Sequence, residues 1–192
     1  MKLALIFLAA AILHAEEPEL IFGKVTTEIH HDVIVERYRA TEGTEQIWLV
    51  SNTDPAKRHL LYTHHRRAEV IFSEDSEWLV INDNVGSGYS GVLLYRRKTG
   101  VEYERVADLT APAWKYFNQR NDFTENQFDH AYAEAACWTS TDPPTLLIRL
   151  SGHISGPTGI IKQSLGWHCL YNTQTQSFST DLDALNQTSI KP

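Results

Sequence analysis

The stretch Phe72-Ser73-Glu74-Asp75-Ser76-Glu77-Trp78-Leu79-Val80-Ile81-Asn82-Asp83 limits the fold more than any other part of the chain. A polar turn of Ser, Asp and Ser runs straight into a strand read as alternating and apolar. Short strands bounded by turns of this chemistry build antiparallel sheets. The pattern returns in weaker form. Ala68-Glu69, Phe72-Ser73-Glu74-Asp75 and Trp78-Leu79-Val80-Ile81 are answered by Ala133-Glu134, Trp138-Thr139-Ser140-Thr141-Asp142 and Thr145-Leu146-Leu147-Ile148. Each set leads to a Gly/Ser-rich loop, Gly86 to Gly91 and Ser151 to Gly159, and then to a strand with a late tyrosine, Tyr95 or Tyr171. Matching order at successive landmarks predicts an internal duplication.

The rest of the chain fits around these two units. Ile21 to Tyr38 carries β-branched residues that favour strands, with His30-His31-Asp32 marking a bend. Gln46-Ile47-Trp48-Leu49-Val50 and His59-Leu60-Leu61-Tyr62-Thr63 are two further strands around a turn at Asn52-Thr53-Asp54-Pro55. Between the repeats the chemistry changes. Thr110 suits an N-cap, Pro112 suits a first helical turn, and Trp114 and Phe117 share a helical face. Thr124 with Gln127 suggests a second capped turn. The expected layout is a partial unit at 19–63, a four-stranded unit at 66–106, a helical insertion at 110–130 and a second unit at 131–181. The predicted fold is mostly β: antiparallel sheets with one short helical insertion.

The turn-and-strand pattern resembles the blades of β-propellers, in particular the tryptophan–aspartate-like repeats of periplasmic propellers. Their strand-opening motif reads Phe-Ser-Pro-Asp-Gly before an apolar strand. Phe72, Ser73 and Asp75 match it, while Glu74 and Ser76 stand where the family has Pro and Gly. The resemblance covers 66–106 well and 131–181 loosely. It implies blade-like sheets and contact with other proteins rather than turnover. A closed propeller takes about four or more blades. This length holds two units and a partial one, so the expectation is blade-like sheets packed on one another, with oligomeric closure left open.

Residues 1–15 read as a signal peptide: Lys2, an apolar run from Leu3 to Leu13, and Ala15 before Glu16-Glu17-Pro18. The run is shorter than the roughly 20 residues that span a bilayer. The predicted mature chain, 16–192, is one β-rich domain exported to the periplasm or the cell exterior, without stable membrane insertion. With 24 Asp and Glu against 17 Lys and Arg, the net charge of −7 disfavours a nucleic-acid partner. An oxidising compartment lets Cys137 and Cys169 pair, with two buried thiols as the alternative.

No motif assigns a reaction. Histidines are numerous, but no His-Glu-x-x-His is present and neighbours on a strand point to opposite faces. The segments Gly88-Tyr89-Ser90-Gly91 and Gly156-Pro157-Thr158-Gly159 lack the features of a nucleophile elbow or a phosphate loop. No catalytic residue, metal or cofactor is expected. If a ligand is bound, the polar, glycine-rich segment 82–91 is the first candidate, through Asn82, Asp83, Asn84, Ser87, Tyr89 and Ser90. The expected role is non-catalytic binding or scaffolding with protein partners. A secreted hydrolase using His and Asp, with or without a metal, and a carbohydrate-binding module are the alternatives.

Overall fold

A computed structural model describes residues 24–40, 43–121, 128–155, 161–179, 182–186 and 190–191. The predicted signal peptide lies outside the described residues. Three four-stranded antiparallel meanders follow one another; the first is a sheet of its own, and the second and third, called here the second and third sheets, are joined by a short parallel pairing into one nine-stranded sheet. The first is β1 (Lys24–His30), β2 (Val33–Arg39), β3 (Glu45–Ser51) and β4 (Arg58–His64), paired in that order. The second is β5 (Ala68–Phe72), β6 (Trp78–Gly86), β7 (Tyr89–Thr99) and β8 (Glu102–Asp108). After helix α1 (Thr110–Asn118) comes the third: β9 (His130–Thr141), β10 (Pro144–Ser155), β11 (Ile161–Asn172) and β12 (Ser177–Ser179). A short helix α2 (Asp183–Asn186) and strand β13 (Ile190–Lys191) finish the described chain, with β13 paired to β11. The stretch at 19–63, expected to be partial, therefore contributes a complete four-stranded sheet.

The second sheet is covered on both faces. Leu79, Ile81, Leu93 and Tyr95 pack with Val33, Val35, Ile47, Leu49 and Leu61 of the first sheet. Val80, Val92 and Leu94 pack the other way, with α1 and with Leu146, Ile148, Leu150, Trp167 and Cys169 of the third. Successive side chains on a strand face opposite ways, so a strand buried on both faces must be apolar without interruption. Leu79-Val80-Ile81 and Val92-Leu93-Leu94 are such runs. The alternation expected of the opening strand is replaced for this reason.

The turn at 73–78 is closed by its own side chains. The Ser73 hydroxyl donates to Asp75 Oδ1 at 2.6 Å and accepts the Trp78 N–H at 2.9 Å. Asp75 Oδ1 also accepts the Glu77 N–H at 3.0 Å. Ser76 takes φ 58°, the left-handed region where glycine is at ease. Its buried hydroxyl has no partner among the described residues.

Helix α1 begins differently from expectation. The N-cap position is Leu109, whose side chain makes no cap bond; Asp108, one residue earlier, accepts the Thr110 N–H at 3.0 Å. Thr110 is already helical and turns its hydroxyl to the Val92 N–H, 2.9 Å away. Trp114 and Phe117 do share the buried face, edge to face at 5.7 Å. The second helical turn expected from Thr124 and Gln127 lies outside the described residues.

Both cysteines are free. Cys137 stands opposite Leu147, and Cys169 stands opposite Ile148, so β10 runs between them. Two strand spacings amount to about 10 Å, beyond the roughly 7 Å that a disulfide bridges. Cys137 is exposed, whereas Cys169 lies in the core. The bridge held open in the sequence is thus absent.

Candidate functional site

The segment 82–91, expected to be a loop, is the β6–β7 hairpin, and most of its polar groups are used to join sheets. Asn82 is buried; its amide donates to the Ala135 carbonyl and accepts the Ala135 N–H, both at 2.8 Å. The Ser90 hydroxyl, fully buried, donates to the Ala133 carbonyl at 3.0 Å. The Ala131 N–H reaches the Gly88 carbonyl, and Tyr132 donates to the Ser87 carbonyl. Strand β9 pairs with β7 in parallel only at Tyr89–Ser90, then diverges across β6 and β5. Beyond that point the edge of β9 turned away from β10 would be left without partners in a buried place. Ser90 and Asn82 supply them.

Close crossing needs small side chains, and Ala131, Ala133 and Ala135 provide them at every second residue. That alternation of alanine, together with an asparagine inside the apolar strand 79–82, is the signal in the sequence that marks this seam. Asp83 accepts the Tyr62 hydroxyl, and burial followed by this bond pushes the Tyr62 pKa upward. Of the six expected ligand residues, Asn82 and Asn84 line a groove, while Tyr89 stays exposed at the hairpin end.

One groove, of 450 Å³, lies between Trp78, Arg96 and the turn at 142–144; two others lie where the first strands of the three meanders converge. One, of 560 Å³, is lined by Glu28 of β1, Arg37 of β2, Glu45 of β3, the crossing segment His64-His65-Arg66-Arg67, and Ala68 to Val70 of β5. The other, of 410 Å³, is lined by Arg67 and Glu69, by Asn82 and Asn84 of β6, and by Glu134 of β9 with Arg149 of β10. Arg67 and Glu69 belong to both, so the two grooves flank β5. Arg37 is anchored: it donates to the Ala68 carbonyl at 2.8 Å and lies 3.8 Å from Glu28. His64 is 3% exposed; its Nδ1 meets the Arg66 carbonyl and its Nε2 has no partner.

The histidines come together in pairs only. His130 and His153 are cross-strand neighbours with rings stacked at 4.4 Å. His30 stacks on Phe72 at 4.6 Å, and burial lowers its pKa against the opposing effect of the Ser73 carbonyl. His168 sits beside Arg149, and burial followed by that positive charge lowers its pKa. Among the described residues no group of three or more His, Cys, Asp or Glu side chains could hold a metal ion. No helix among them is long and apolar enough to cross a membrane.

No family model, curated protein or solved structure matches this chain. The arrangement of the grooves therefore carries the functional argument. What they offer is charge and hydrogen bonding: arginines, glutamates, histidines and amide side chains.

Proposed function

We propose that this is an exported, non-catalytic binding or scaffolding protein that engages protein partners through the grooves flanking β5. The observation that carries the reading is the convergence of the first strands of three stacked sheets on one charged surface. Loops and edges held by a rigid β frame are where recognition concentrates. Arg66, Arg67 and Arg149 have their guanidinium groups in no ion pair among the described residues, so they are available to a partner. Duplication of a propeller-blade-like unit is the accompanying proposal for its origin, supported by the shared meander of the second and third sheets and their matching landmarks. Three such sheets fall short of a closed ring.

Paired capture from the compartment to which the protein is exported tests this, using wild type and the Arg67→Glu/Arg149→Glu double variant. A partner protein held by the wild type and lost from the variant is expected. Equal retention by both would overturn the reading, as would turnover of ester, phosphoester or glycoside substrates by the purified protein.

A further inference from the structure

The 410 Å³ groove has two charged walls that face each other without pairing. On the β5 wall stand Arg67 and Glu69, two residues apart and therefore on one side of the chain. On the opposite wall stand Glu134 and Arg149, which are direct cross-strand partners in β9 and β10. None of the four is in an ion pair among the described residues. The small side chains of Ala135 and Ala136 keep the space between the walls open, and Ile71, Asn82 and Asn84 complete the lining.

From this geometry we infer that the groove takes a short zwitterionic peptide. A ligand carrying only an anion would meet Glu69 and Glu134 as well as the arginines. One carrying only a cation would meet Arg67 and Arg149. A ligand with an ammonium at one end and a carboxylate at the other can answer both signs at once. Ligand pockets commonly fall between about 300 and 1,000 Å³, so a dipeptide or tripeptide fits here. The adjoining groove shares Arg67 and Glu69 and leaves room for a longer chain to continue. Arginine suits the carboxylate end because its planar fork meets two oxygens at once. This inference rests on reading the grooves beside β5 as the binding surface.

The test is calorimetric titration at low salt with three probes: alanyl-alanine, N-acetyl-alanyl-alanine and alanyl-alanine amide. The zwitterion should bind, and each blocked form should bind at least about tenfold more weakly, since one charge contact is lost. Glu134→Gln and Arg149→Gln should each weaken the zwitterion by a similar factor at an unchanged thermal midpoint. Equal binding of all three probes, or no binding of alanyl-alanine to the wild type, would overturn the inference. If alanyl-alanine fails while the double variant still loses a protein partner, this inference falls alone. If alanyl-alanine binds and no protein partner depends on Arg67 and Arg149, the inference stands and the protein-binding reading falls.

Discussion

At the scale of single residues, buried polar side chains in this protein act as substitutes for backbone. Asn82 gives Ala135 both hydrogen bonds that a neighbouring strand would have given, and Asn186 does the same for His168 at 2.8 Å each way. Replacing Asn82 by Leu leaves the N–H and carbonyl of Ala135 buried without partners. A loss of about 2–4 kcal/mol in unfolding free energy is expected, measured by urea denaturation. Ser76 gives the opposite expectation. Its φ of 58° strains any side chain, and its buried hydroxyl is unpartnered among the described residues. Ser76→Gly should therefore stabilise the fold by about 0.5–1 kcal/mol in the same experiment. The turn containing Ser76 was legible in the sequence because its side chains bond locally. The structural role of Asn82 was not legible, because its partner is 53 positions away.

Among whole elements, ties between sheets determine what each strand may carry. The first sheet is pinned to the second where Arg97 of β7 donates two bonds to Asp32 in the β1–β2 turn, at 2.7 and 2.8 Å. Chiefly through these bonds, the Asp32 carboxyl is held below the usual carboxylate range. A lowered folded-state pKa gives stability that is present above the unfolded value and lost as pH falls through the folded one. Asp32→Asn should thus be less stable than wild type at neutral pH. The difference should shrink once pH falls below about 4, where the carboxyl in the unfolded chain is protonated. Urea midpoints at pH 7 and pH 3 check this; the effect is modest because Asp32 is largely exposed.

The cysteines report on the third sheet. Burial raises the Cys169 thiol to about 12, while Cys137 is exposed on β9. A thiol reagent at neutral pH should label Cys137 alone in the native protein and both cysteines in denaturant, as read by peptide mass mapping. Strand identities and the first half of the helical insertion could be read from local pattern. Which face each cysteine occupies could not, because it depends on the bulges between β9 and β10.

Across the whole molecule, stacking of the three meanders makes the middle one the most protected and brings β1, β5 and β9 to a common surface. The mostly antiparallel β class was legible, since the continuous apolar runs of β6 and β7 and the Gly- and Ser-rich turns both belong to it. The binding surface was not. Glu28, Arg67, Glu69, Glu134 and Arg149 are scattered along the chain and look like ordinary solvated charges until the sheets stack. The candidate surface lies beside β5 and takes from the hairpin that the sequence suggested only Asn82 and Asn84.

Site-specific photo-crosslinking tests that placement most directly. A photoreactive residue is placed at Glu69 or Glu134, inside the grooves, and at Val106, exposed on β8. In the native host, the account predicts a discrete protein adduct from Glu69 and Glu134 and none from Val106. Adducts from Val106 alone, or equal adducts from all three positions, would contradict it.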